Sequence, residues 1–164
     1  MTKIFIVLCY MLLVFTSCSH SYYIVRHAEK TTQEANMSSD VPLTEKGKER
    51  AGTLKEILKN KKIAYVFSTN TIRTMSTAGP TADYFHITTE IYGPRPDSAF
   101  IGLLKSKKKN TLVVGHSNTV DDIVNMLCGE IKVPGDLPDT EYNNLFIVKK
   151  KGKRYLFYSQ KYGE

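Results

Sequence analysis

Four short runs rich in Tyr, Ile, Val and Phe alternate along the chain with segments of helical apolar spacing. They fall at 22–25, 63–68 and 87–92 and within 111–117. This alternation restricts the fold more than any other feature. β-Branched and aromatic runs of this length suit strands covered on both faces, and intervening helices of 10–15 residues supply the crossovers that parallel strands require. The expectation is an α/β fold, a three-layer α/β/α arrangement around a mainly parallel sheet. The tail differs: the runs in "NNLFIVKK-KGK-RYLFYSQ" flank a Lys-Gly turn. They predict an antiparallel hairpin at the sheet edge, its lysines discouraging edge-to-edge pairing.

The helical segments carry their own signals. In "LTEKGKERAGTLKEILKNKK", Leu43, Ala51, Leu54, Ile57 and Leu58 share a face, with Thr44 placed to cap the start. Pro80 is expected to kink or restart the helix that follows the second strand. Another helix falls within "PDSAFIGLLKSKKKN", and Gly129 ends the last one.

The first eighteen residues stand apart. Lys3 precedes twelve mostly apolar residues, Ile4 to Phe15. That is shorter than the roughly 20 residues of a membrane-spanning helix and fits the apolar region of a secretory signal. The sequence Phe15-Thr16-Ser17-Cys18 is similar to the lipobox of bacterial lipoproteins. That likeness implies a signal peptide over 1–17, lipid on Cys18, and a single domain over 19–164 anchored to a cell-envelope membrane on its periplasmic or cell-surface side. Phe15 stands where such signals usually carry Leu, so simple secretion is the alternative. Cys128, in the apolar "IVNMLCG", reads as a buried and inert thiol.

The whole chain carries a net charge of +7. Much of the excess lies in the runs 59–62, 105–109 and 149–154, which suit an anionic substrate or an anionic membrane surface. No nucleic-acid-binding motif accompanies them, so nucleic acid is not an expected partner.

Chemistry gathers where strands end. Arg26 and His27 follow the first strand, Ser68 and Thr69 with nearby Arg73 follow the second, and Gly115-His116-Ser117-Asn118 follow the fourth. In an open parallel sheet the ligand crevice lies beyond those ends, so two arginines and two histidines should converge there. The set fits phosphoryl transfer. Two guanidiniums grip phosphate oxygens, and a neutral histidine attacks phosphorus in line. The second histidine donates to an equatorial oxygen, and a helix starting near Thr119 offers backbone N–H groups. Nothing in this arrangement calls for a metal or another cofactor.

"VRHAEK", "PLTEKGKERA", "STNTIRTMSTA" and "VVGHSNTV", in that order, resemble the motifs of the histidine phosphatase superfamily, also called phosphoglycerate-mutase-like. The resemblance implies that His27 is the phosphorylated nucleophile and that Arg26, Arg73 and His116 complete the phosphate pocket, with Ser117 and Asn118 beside them. Ala28 stands where the family most often has glycine. The family often takes its proton donor, a Glu or Asp, from the middle of the chain. Glu90 is the nearest candidate, with Asp97, Asp121 and Glu29 as further options.

Only 42 residues separate Arg73 from His116, too few for the large cap insertion of several family branches. The pocket should therefore be open to a phosphorylated small molecule or a phosphoprotein, and mutase activity is not expected, because that reaction must shield its intermediate from water. A serine hydrolase reading of "GHSNT" fails, since no histidine follows His116. A metallohydrolase would need ligand spacings that are absent. The competing reading is a lipid-anchored domain of this fold that binds phosphate or phosphoproteins with little or no turnover.

Overall fold

The computed structural model describes residues 19–32 and 40–163; the expected signal segment and the lipidation candidate Cys18 lie outside the described residues. Six strands and four helices alternate: β1 (Ser19–Arg26), α1 (Glu45–Leu58), β2 (Tyr65–Ser68), α2 (Ile72–Phe85), β3 (Glu90–Ile91), α3 (Ser98–Lys107), β4 (Thr111–Gly115), α4 (Val120–Cys128), β5 (Asn144–Lys151) and β6 (Arg154–Lys161). The sheet order is β3-β2-β4-β1-β5-β6. β1, β2, β3 and β4 run parallel, and β5 and β6 form the antiparallel hairpin at one edge. The α/β expectation therefore holds, hairpin included.

Period-2 alternation assigns the two faces. Tyr22 and Ile24 of β1 point into a core with Phe100, Leu104, Ile123 and Leu127 from α3 and α4. Tyr23 and Val25 point the other way, against Leu54, Leu58, Ala78 and Ala82 from α1 and α2. A strand covered on both sides carries no polar alternation, which is why "YYIV" reads as one continuous apolar run. Along the sheet, β1 and β4 are central neighbours, and the helices that follow them cover opposite faces. Their carboxyl ends therefore mark the topological switch point, where a crevice opens.

Local signals mostly decide where elements begin. The Thr44 hydroxyl accepts from Gly47 N at 3.0 Å and starts α1, as expected of that cap. Asp97 does the same for α3 through Phe100 N at 2.8 Å. Gly129 ends α4 in the left-handed conformation, φ 74°. Two expectations need correction. α2 runs unbroken through Pro80 over its 14 residues, so the proline neither divides nor restarts it. β3 has only two residues instead of six, because Ile87 N is still bonded to Ala82 O at the end of α2 and pairing with β2 begins only at Glu90.

The loop after β1 is fixed from below. Arg50 on α1 grips Glu29 with two bonds, Nε–Oε2 at 2.8 Å and Nη2–Oε1 at 2.6 Å, and donates to Tyr162 O at 2.7 Å. A Cβ on Gly47 would collide with the Glu29 carbonyl oxygen, so glycine is what lets α1 approach this loop. Both contacts hold the chain at Glu29, two residues beyond His27.

Candidate active site

Three strand ends deliver the site. His27 leaves β1 with its backbone N–H donating to Gly115 O of β4 at 2.8 Å, which binds the two histidine-bearing ends together. Ala28 N donates to the Thr77 hydroxyl at 2.9 Å, and that hydroxyl donates to Arg73 O at 2.8 Å. The loop that carries His27 is thus tied to the first turn of α2. The His27 and His116 rings stand edge to face with centroids 5.5 Å apart. Arg26, Arg73, His116, Ser117 and Asn118 line one open cavity of about 940 Å³. The structure therefore brings these predicted residues together.

Hydrogen bonding settles which nitrogen of each histidine carries a lone pair. His27 Nδ1 lies 2.8 Å from the Ala28 carbonyl oxygen. A carbonyl only accepts, so Nδ1 holds the proton and Nε2 is left nucleophilic. Burial pushes the His27 pKa down to about 3; the Ala28 bond opposes that shift, and nearby Arg26, Arg73 and His116 reinforce it. The ring is therefore neutral at physiological pH, with its Nε2 lone pair available.

His116 is the mirror case. Its Nδ1 faces Arg73 Nη2 at 3.5 Å, and a guanidinium can only donate, so Nδ1 accepts. Nε2 then holds the proton and donates to the Thr69 hydroxyl at 2.9 Å, which passes its own proton toward Thr74 Oγ1 at 3.0 Å. Burial, then Arg73 and Arg26, lower its pKa to about 4, with Asp40 opposing. As placed, His116 has no spare N–H for a phosphate oxygen. The donor role expected of it requires a second proton at Nδ1, which the arrival of a phosphate dianion favours.

The arginines are held by partners that the sequence did not single out. Arg26 donates to Pro138 O at 2.8 Å and Glu141 O at 3.2 Å, reaches Asp139 Oδ1 at 3.3 Å, and packs its guanidinium 4.2 Å from the centre of the Tyr142 ring. The same ring lies 6.0 Å from that of His27. Asp40 accepts from Ile72 N at 2.8 Å at the start of α2 and contacts Arg73 at 3.5 Å. The rim adds Lys30, Arg95, Asp97, Asp136 and Asp139. Tyr142, Asp139 and Asp136 all come from the connection between α4 and β5, which has neither period nor motif.

Glu90 is not brought to this group. Its carboxylate pairs with Lys107 of α3 at 3.2 Å, and it does not line the cavity. Of the further options, Glu29 is held by Arg50, and Asp121 is buried on α4 away from the cavity lining. Asp97 does line the cavity while capping α3. Among the described residues, no group of three His, Cys, Asp or Glu side chains is placed to hold a metal ion.

Against known families, one match falls on this site. Residues 22–92 match the sequence model of the histidine phosphatase superfamily (branch 1). The histidine phosphatase match takes in Arg26, His27 and Arg73 and stops before His116, which the fold supplies. No curated protein matches the sequence. Solved structures share the fold at low identity. SixA from Agrobacterium tumefaciens is 16% identical, with 84% of this chain and 95% of that one covered at TM-score 0.65. A protein histidine phosphatase SixA complexed with tungstate is 20% identical, covering 86% and 96% at 0.64. A phosphoglycerate mutase from Bacillus anthracis is 16% identical, covering 88% and 93% at 0.59.

The two depressed histidines make stability depend on pH. Between about pH 3 and pH 6.5 the unfolded chain binds protons at these positions that the folded chain does not, so stability rises with pH across that window and is fully present above it. Acidification from about pH 7 to about pH 4.5 should cost wild type more than a His27→Asn/His116→Asn variant, by on the order of 1–3 kcal/mol. Guanidinium titrations at the two pH values measure the difference. Equal losses in both proteins would show that the histidines are not the coupled groups.

Proposed function

We propose that the chain is a metal-independent histidine phosphatase that hydrolyses a phosphoester or phosphoramidate through a phosphohistidine on His27. The observation that carries this reading is the locked tautomer: His27 Nδ1 is committed to the Ala28 carbonyl, leaving Nε2 free to attack beside two guanidiniums. The Nε2–P bond forms as the bond to the leaving group breaks, and Arg26 and Arg73 balance the charge on the equatorial oxygens. Water then attacks phosphorus from the opposite side. The N–P bond breaks, its electron pair returns to Nε2, phosphate leaves with the hydroxyl of that water, and the water's other proton passes to solvent.

The openness of the cavity favours water as the acceptor over a second substrate, hence hydrolase over mutase. It also admits a phosphorylated side chain as readily as a small phosphoester. With Glu90 paired to Lys107, leaving groups that need little proton assistance suit the site best. Phosphohistidine is one such group, and the SixA neighbour is described as a protein histidine phosphatase. The same position of Glu90 supports the second reading, a phosphate-binding domain with weak turnover. The apolar segment 4–15 followed by Cys18 supports an exported, lipid-anchored protein.

The test is hydrolysis of p-nitrophenyl phosphate by the full chain with EDTA present, beside Glu90→Gln. Turnover that survives chelation, is blocked by tungstate and changes by less than about twofold in Glu90→Gln is the expected result. Tungstate binding without turnover would establish the binding-domain reading instead.

A further inference from the structure

We infer that the end of the sheet opposite the cavity is a docking face for anionic phospholipid headgroups. The inference takes its setting from the anchoring reading and does not depend on the phosphatase reading. Three basic runs, far apart in sequence, meet there because of the topology. Residues 59–62 close α1 and lead into β2, and 105–109 close α3 and lead into β4. Residues 149–154 form the β5–β6 turn, and β5 runs antiparallel to β1 with Lys151 opposite Ser19.

Specific contacts tie the runs to one another. Asn110 accepts from Ser21 N at 2.8 Å through its side chain and donates to the Lys61 carbonyl, joining the first run to the start of β1. Lys105 and Lys150 lie over the same Tyr155 ring, at 5.2 and 3.9 Å, joining the second run to the third. Lys59 pairs with Glu56 and Lys107 with Glu90. Lys61, Lys62, Lys108, Lys109, Lys153 and Arg154 are exposed and make no ion pair among the described residues.

A cluster of like charges repels itself and is not a stability device. Its field is complementary to an anionic surface within about a Debye length, roughly 8 Å at physiological salt. What selects a lipid surface is where the chain enters the fold. Ser19, the first described residue, belongs to this same end, directly after the apolar segment. β1 and β4 then lead away from it, and five residues of β4 at about 3.3 Å each lift the strand ends by about 17 Å. Docked this way, the domain would hold its cavity open to the aqueous side, where a phosphoprotein could reach it.

The experiment mixes the full mature chain with two vesicle populations in one tube, pure phosphatidylcholine and equimolar phosphatidylcholine–phosphatidylglycerol, and separates them by density. At about 0.05 M salt the wild type should favour the anionic vesicles at least about tenfold, and the preference should collapse at about 0.5 M. Lys61→Glu/Lys109→Glu/Lys151→Glu/Lys153→Glu should abolish the preference with p-nitrophenyl phosphate hydrolysis unchanged. Lys30→Glu/Lys46→Glu/Lys48→Glu/Lys161→Glu, an equal reversal away from this end, should keep most of it. Equal partition of the wild type between the two populations would overturn the inference. So would equal loss in both variants, or displacement by duplex DNA at matched charge, which would point to nucleic acid. Failure of the anchoring reading shows separately, as no binding to the neutral vesicles.

Discussion

His27→Ala should lower kcat by at least about a thousandfold while shifting the melting midpoint by no more than a few degrees. The two halves of that expectation have different causes. In the proposed mechanism turnover depends on one lone pair, that of Nε2, and no neighbour can replace it. His116 is the nearest imidazole, with ring centroids 5.5 Å away, but its Nε2–H is committed to Thr69 and its Nδ1 faces Arg73. Folding depends on the His27 side chain far less. Its one hydrogen bond goes to the adjacent residue, and the loop is held by backbone links to Gly115 and Thr77 and by the Glu29–Arg50 pair. Added imidazole should restore part of the activity if the loss is chemical, since the ring's volume is left behind. An acid-labile phosphoenzyme trapped in wild type and missing from the variant would identify the intermediate. Undiminished turnover in His27→Ala would remove the nucleophile assignment altogether.

What could be read from the sequence, and what could not, follows from the range of the interactions involved. Strand and helix periods are local, so the α/β alternation, the faces of β1 and the caps at Thr44 and Gly129 were legible. Arg26, His27 and His116 were legible too, because a polar group placed directly behind a buried strand has few places to go but the crevice. Glu90 misled because its partner, Lys107, comes from another element. Two-residue β3 misled for the same reason: where its pairing with β2 begins is a tertiary choice. Asp40 reaches α2 across 32 residues of sequence, and the carbonyls that hold Arg26 lie 112 and 115 residues downstream. Only the folded sheet places those loops side by side. The basic runs show both cases at once: each was visible in the sequence as a run of lysines, but their meeting at one end was a property of topology.

Arg26→Lys keeps the charge and should still cost about a hundredfold in kcat/KM. The reason lies in geometry. The planar guanidinium here serves two directions, holding the carbonyls of Pro138 and Glu141 with one nitrogen and Asp139 with the other, its face against Tyr142. An ammonium is a point donor on a flexible stem and cannot span that set while reaching a phosphate oxygen. Losing one preorganised donor to the transition state is worth roughly 2–4 kcal/mol, which sets the expected factor. The lysine should also loosen the connection between α4 and β5, since Leu137 N to Ser117 O is its other bond to the site's loops. Faster hydrogen exchange over 137–142 should therefore accompany the kinetic loss, whereas exchange in β1 and β4 stays protected. Loss of activity with unchanged exchange would assign Arg26 to phosphate alone. Unchanged kcat/KM would mean that Arg26 is a structural clamp for that loop, and that Arg73 is the phosphate's principal guanidinium.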